Sequence, residues 1–179
     1  MALSIDDSVL NKAKKVKFLL LDVDGVLTDG RIIYDSRGHD MKFFDVHDGL
    51  GVYCLKKSGI KTILITAKGS RAIKPRARDM AVEAVFENIL PKSAVLEKVM
   101  KKYGVSSEEI CFMGDDLVDL SIMKRVGFPV AVFNACSEIK RASSYITFRE
   151  GGRGAVREVA ELILKSQGVW QEILKIYDV

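Results

Sequence analysis

A doubly wound α/β fold with a parallel sheet is predicted by three observations. Short apolar runs at Val16–Asp22, Ile60–Thr66, Val82–Phe86, Ile110–Met113 and Pro129–Phe133 have the length of strands. The first is near-continuous in its apolar character, as in a strand covered on both faces. Stretches with helical periodicity lie between these runs, and that alternation builds a parallel sheet with helices on its faces. Polar side chains gather where the runs end, which is where such folds place their chemistry.

The elements follow in order. Residues 8–15 read as a short amphipathic helix leading into the first strand, Val16–Asp22. Arg31–Tyr34 and Met41–Phe44 flank a polar, glycine-containing turn, so about 29–45 reads as an inserted β-hairpin. A helix over about 48–58 stops at Gly59, and the strand Ile60–Thr66 follows. Pro75 lets a helix over 70–80 start near Lys74 or kink. After Val82–Phe86, Pro91 opens a helix that runs through Met100 and stops by Gly104. Ser106 and Ser107 cap a turn into Ile110–Met113. A helix over 116–126, the strand Pro129–Phe133, a short helix at 137–142, a strand Tyr145–Phe148 and a tail helix within 151–179 complete the chain.

Composition narrows the function. With 48% hydrophobic and 29% charged residues, the 179-residue chain reads as one globular domain spanning 1–179. No apolar run reaches the roughly 20 residues of a membrane span, and Met1–Asp7 lacks the apolar core of a secretory signal. The net charge of +4 suits an anionic small substrate. Lys12–Lys17 reads as a solvated basic face because no aromatics interleave with it, so neither a nucleic acid nor a membrane is expected as partner. Cys54, Cys111 and Cys136 have no metal-type spacing and read as reduced thiols of a cytoplasmic protein.

Four features fall at the ends of successive strands and are expected to meet at one rim: Asp22-Val23-Asp24-Gly25-Val26, Thr66, Lys92 after Pro91, and Gly114-Asp115-Asp116-Leu117-Val118-Asp119. Asp22 and Asp24 alternate onto one face of the chain. Paired carboxylates hold Mg²⁺, which prefers oxygen ligands. A hydroxyl and an ammonium hold phosphate oxygens. One aspartate remains to attack phosphorus, and its neighbour can move the proton. Singly, Asp-Gly is a common turn and Gly-Asp-Asp a common helix start. The ordered set is far more specific.

This quartet resembles the haloacid dehalogenase superfamily of phosphohydrolases, over essentially the whole chain. The resemblance implies a Rossmann-like sheet, with Asp22 as nucleophile and Asp24 as general acid and base. It also implies Mg²⁺ held by Asp22, Asp115 and the Asp24 main-chain carbonyl, with Thr66 and Lys92 on the phosphoryl group. Asp119 would orient Lys92 or a metal-bound water. Asp116 would be either a helix cap or a similar support. The gaps Thr28–Val46 and Ala67–Leu90 hold only the hairpin and one helix with a strand, so no cap domain is expected. An apolar hairpin (Ile32, Tyr34, Met41, Phe43) over an open site points to a homo-oligomer that closes it.

Asp45-Val46-His47-Asp48-Gly49 and Gly151-Gly152-Arg153-Gly154-Ala155-Val156-Arg157-Glu158 are similar to segments of the 3-deoxy-D-manno-octulosonate 8-phosphate (KDO 8-phosphate) phosphatase family. That likeness implies a tetramer and a sugar-acid phosphate substrate. Asp24, Asp45, Val46, His47, Asp48, Gly49, Tyr53, Lys68, Arg76, Lys92 and Arg153 would line its pocket, and the glycine–arginine segment would reach a neighbour's site. Lys68 and Tyr53 stand where the family usually carries arginines, and a nonulosonate 9-phosphate is the nearest rival substrate. A signalling receiver domain also combines acids, a hydroxyl and a lysine, but its phosphoacceptor closes a middle strand, where this chain has Thr66. A non-catalytic oligomerisation module would not need the whole quartet.

Overall fold

The computed structural model describes residues 5–178; the first four residues of the leader reading Met1–Asp7, and Val179 at the end of the tail reading, lie outside them. The core is a six-stranded, wholly parallel sheet. In chain order its strands are β1 (Phe18–Leu21), β4 (Lys61–Ile65), β5 (Ala84–Phe86), β6 (Ile110–Gly114), β7 (Phe128–Ala131) and β8 (Tyr145–Ile146). They lie side by side as β5-β4-β1-β6-β7-β8, so β1 is central and sequence order reverses on either side of it. All four residues of β1 are buried, which is why it reads as an unbroken apolar run. Leu21 pairs with Leu64 of β4 and with Met113 of β6. Asp22 therefore leaves the sheet between Ile65–Thr66 on one side and Gly114–Asp115 on the other. A topological switch point of this kind opens a crevice outside the carboxyl ends of the strands.

Helices cover both faces. They are α1 (Asp7–Lys14), α2 (Val46–Lys57), α3 (Ile73–Asp79), α4 (Ser93–Tyr103), α5 (Leu120–Met123), α6 (Ser137–Ala142), α7 (Ala155–Ser166) and α8 (Trp170–Lys175). α7 is the most amphipathic in pattern. It buries Val156, Val159, Ala160, Ile163 and Leu164 and packs on α2 and α1. Between Thr28 and Asp45 only a hairpin is inserted, with strands β2 (Ile33–Tyr34) and β3 (Asp40–Met41).

Several boundaries differ from the sequence reading, each for a local reason. α2 starts at Val46 because the Asp45 carboxylate accepts the His47 N–H at 2.7 Å. α3 starts at Ile73, which puts Pro75 in the first turn, where its missing N–H has no helical partner to lose. The helix expected over 116–126 is a 3₁₀ turn, Leu117–Asp119, followed by the single turn α5, because Asp119 is drawn inward. The tail is two helices, α7 and α8, separated at Gly168. The hairpin strands are two residues each, and their register pairs Tyr34 with Asp40 and Ile33 with Met41. Tyr34 and Met41 thus point to opposite sides of the ribbon. Cys54 and Cys111 are buried, Cys136 is half-buried, and all three are unpaired.

Candidate active site

The acids come together at the rim, as the parallel register requires. Single oxygens of Asp22, Asp115 and Asp119 lie within 4.8 Å of one another. Lys92 is fully buried at the entry to α4, and its Nζ donates to Asp22 Oδ1 and Asp119 Oδ1 at 2.6 Å each. Asp119 uses its other oxygen to accept the Asp115 backbone N–H at 3.0 Å. With both oxygens engaged, Asp119 orients Lys92 and the Asp115 loop, while Asp22 and Asp115 face each other. Asp116 is exposed and caps the 3₁₀ turn through the Leu117 N–H at 2.8 Å, which is the helix-cap reading.

The electrostatics favour a cation. Burial, and then Asp119, push the Asp22 carboxyl up to about 6 against the pull of Lys92. Burial, and then Asp22 and Asp119, push Asp115 up to about 8. Burial alone would lower Lys92, but Asp22 and Asp119 more than offset it and raise its ammonium above the ordinary value. Three carboxylates against one ammonium leave a formal excess of two negative charges, the complement of a divalent ion. Carboxylate oxygens alone suit Mg²⁺, and the cluster fits a magnesium-dependent phosphatase.

Two glycines permit this geometry. Gly25 has φ +96°, and a Cβ there would fall 2.0 Å from Asp115 Oδ2. A Cβ on Gly151 would fall 1.7 Å from the Gly25 carbonyl oxygen, and the neighbouring Gly152 N–H donates to Val26 O at 2.9 Å. The glycine-rich segment therefore braces the Asp22–Val26 loop of its own chain. Of it, the Arg153 side chain is left mostly exposed, 3.7 Å from Asp29.

Thr66 is buried at the end of β4. Its hydroxyl donates to Lys68 O at 2.9 Å and accepts the Lys68 N–H at 3.2 Å. The Lys68 ammonium reaches across to Tyr34 Oη at 3.0 Å. Asp24 is half-buried and paired with Lys42 of the hairpin, a residue the sequence reading missed. Only the period-2 register of the hairpin, once known, could have singled it out.

The segment opening α2 divides. Val46 is 73% exposed, and the exposed His47 ring hydrogen-bonds Asp45 Oδ1 at 3.0 Å. Arg76 donates to Asp45 O at 2.7 Å, lies 5.5 Å from the Phe44 ring and packs under Gly49; its Nε is buried without a partner. One residue lies elsewhere than expected. Asp48 is fully buried and presents nothing to the pocket. It accepts the Gly154 N–H at 3.3 Å and the Arg157 N–H at 2.8 Å, capping α7 from another helix. Tyr53 lies under Lys57 at 5.2 Å, farther along α2. A cavity of about 270 Å³ lies between the hairpin base and the glycine segment, lined by Asp29, Arg31, Phe43, Asp45 and Arg153. A larger one of about 820 Å³ lies between α1 and α7 and touches none of Asp22, Thr66, Lys92 or Asp115.

Asp48 gives a signed test. Burial, against the pull of the Arg157 N–H, pushes its carboxyl up to about 6, from 3.8 when unfolded. The folded state thus binds the proton more tightly. The associated stability is complete below 3.8 and is lost as pH rises through about 6. The gap corresponds to about 3 kcal/mol. Measured by urea unfolding, wild type is expected to gain on Asp48→Asn as pH falls from 8 to 4. A pH-independent difference would contradict the buried carboxyl.

Comparison with known proteins agrees with this geometry. A family model described as haloacid dehalogenase-like hydrolase matches residues 76–157. The 3-deoxy-D-manno-octulosonate 8-phosphate phosphatase of Salmonella typhi is 34% identical over 168 residues, covering 94% of this chain and 89% of that protein. The crystal structure of the phosphatase of that name from Moraxella catarrhalis, in complex with magnesium ion, phosphate ion and KDO, is 39% identical. It superposes with a TM-score of 0.94 over 97% of this chain and 99% of that one. The cobalt-bound Haemophilus influenzae phosphatase is 36% identical, with a TM-score of 0.84 over 88% of this chain and 92% of that one. An acidic rim built for a divalent ion, the capless sheet around it and these likenesses lead to one conclusion: the chain belongs to the haloacid dehalogenase-like hydrolases, in the family of the 3-deoxy-D-manno-octulosonate 8-phosphate phosphatases, and is a phosphatase.

Proposed function

We propose that the chain hydrolyses KDO 8-phosphate to KDO and phosphate, in lipopolysaccharide precursor synthesis, through a phosphoaspartyl intermediate on Asp22. One observation carries the chemistry: Asp22 stands at the switch point with Oδ1 held by a fully buried lysine. Lys92 orients that carboxylate and, with the Thr66 hydroxyl, neutralises the phosphoryl oxygens. Asp22 and Asp115 with the Asp24 carbonyl would hold Mg²⁺, which when bound supplies Lewis-acid stabilisation of the phosphoryl charge. As Asp22 bonds phosphorus, Asp24 gives its proton to the departing sugar oxygen. Asp24 then takes a proton from water, whose oxygen displaces Asp22.

The substrate reading is supported by the likeness to enzymes of that name across 94% of the chain and by the cationic side chains of Lys68, beside Tyr34 of the hairpin, and Arg153, beside Asp29. Tyr53 offers no guanidinium fork for a sugar carboxylate, and a nonulosonate 9-phosphate, one carbon longer, is the rival substrate. A phosphate-release screen over sugar-acid phosphates, with and without Mg²⁺, decides between them. KDO 8-phosphate is expected to lead the rival by about 10-fold or more in kcat/KM. The reverse order would transfer the assignment.

A homotetramer in the cytoplasm completes the reading. Ile32, Met41, Phe43 and Val46 are all exposed, an apolar surface that a second copy would cover. Three unpaired cysteines suit a reducing compartment. Among the described residues no helix is long and apolar enough to cross a membrane. Ile32→Glu with Phe43→Glu is expected to delay elution in size exclusion. An unchanged elution volume would take the hairpin out of the interface.

A further inference from the structure

The hairpin delivers a lysine to the catalytic loop. Tyr34 pairs with Asp40, so both lie on one side of the ribbon, and Lys42 follows two residues on. That side makes polar contacts with the rim. Tyr34 meets Lys68, while Lys42 Nζ pairs with the Asp24 carboxylate and lies 3.5 Å from Asp40 Oδ2. Met41 and Phe43 point the other way and are exposed. The Lys42 side chain keeps only 7% of its exposure. A lysine taken this far out of water is held by its counter-ions. Lys92, by contrast, serves Asp22 and Asp119. The buried Lys92 and the half-buried Lys42 therefore govern different carboxylates.

We infer that Lys42 is a positioning residue for proton transfer, holding the Asp24 carboxyl group at the mouth in the orientation that serves the leaving oxygen. This rests on the reading of Asp24 as acid and base. In the first half-reaction the Asp22 oxygen–phosphorus bond forms, the phosphorus–sugar oxygen bond breaks, and the Asp24 proton passes to that oxygen. In the second, water bonds phosphorus, its proton goes to Asp24, and Asp22 leaves as carboxylate. Lys42 transfers nothing; it fixes the group that does.

Leaving groups separate this role from others. A sugar alkoxide needs the Asp24 proton, whereas 4-nitrophenolate departs without it. In the first half-reaction, read as the rate of Asp22 phosphorylation in a single turnover, Lys42→Met is expected to be about 10–100-fold slower with a sugar phosphate but less than about threefold slower with 4-nitrophenyl phosphate. Lys42→Arg, which keeps a cation for Asp24, is expected to restore most of the sugar-phosphate rate. In an Asp24→Asn background, Lys42→Met is expected to add nothing, because the positioned group is gone. Equal losses on both esters in that phosphorylation step, or a full further loss in the Asp24→Asn background, overturn the inference and place Lys42 on the phosphate or in the fold. Where Lys42→Met fails to fold, Lys42→Gln carries the same comparison. An Asp24→Asn variant without leaving-group dependence defeats the acid–base reading itself and takes this inference with it. The two failures are thereby distinguished.

Discussion

Asp22→Asn is expected to lose about 10⁴-fold or more in kcat, as removal of a covalent nucleophile does. The amide keeps the size of the carboxyl and an oxygen for Lys92, so binding and fold survive. Lys92 still has Asp119 as a counter-ion, 2.6 Å away. Neutralising Asp22 also removes one of three mutually repelling charges at the rim. The variant is therefore expected to unfold cooperatively in a calorimeter. Acid-quenched wild-type enzyme should carry phosphate on the peptide containing Asp22, and the variant should carry none. A folded variant with near-wild-type turnover would refute the covalent assignment outright.

Lys92→Met should show the largest effect on stability. The lysine is fully buried and shared by two carboxylates, one of them also fully buried. Removing one partner of a buried ionic cluster costs about 3–5 kcal/mol, because the charges left behind lose their compensation. For a chain of this size that corresponds to a fall in Tm of roughly 6–20 °C. The sign with pH follows from the carboxyls, whose folded pKa values lie above their unfolded ones. With Lys92 present, Asp22 and Asp115 lie at about 6 and about 8, and losing its pull raises both further, so the variant pays more than wild type as the pH rises and the rim ionises. The deficit in Tm should therefore widen between pH 5 and pH 8. Added Mg²⁺ should narrow it without restoring turnover, since a metal ion neutralises the acids but cannot take the place of the lysine on the phosphoryl group. A pH-independent deficit would show that lost packing, rather than uncompensated charge, is the cause.

The rim was legible in advance because strand ends obey a rule. Parallel strands with β1 at the centre put Asp22, Thr66 and Asp115 on one edge, whatever the details of the helices. Residues in loops and helix starts follow no such rule. Asp48 sits in the same pentapeptide as Asp45 and His47, but α2 turns its carboxylate under the α7 N-terminus while His47 faces out. Helix phase fixed only that the two point in different directions; which one met α7 depended on how α2 and α7 pack. The helix over 116–126 failed as an expectation because the Asp119–Lys92 pair pulls the backbone into a 3₁₀ turn, and that pair joins residues 27 apart.

The hairpin and the glycine segment make the same distinction more sharply. Alternation of apolar and polar residues announced a ribbon over 29–45, but a shift of one residue in its register would have turned Lys42 outward and Met41 toward Asp24. Gly151 and Gly152 advertised close backbone approach without naming the backbone approached, which proved to be their own chain's Gly25–Thr28. Composition and periodicity thus settle the layers, the sheet and the chemistry at strand ends, since those depend on local pattern and strand polarity. Which buried charge meets which partner depends on contacts between distant segments, and the free energy of those contacts exists only once the chain has closed around them.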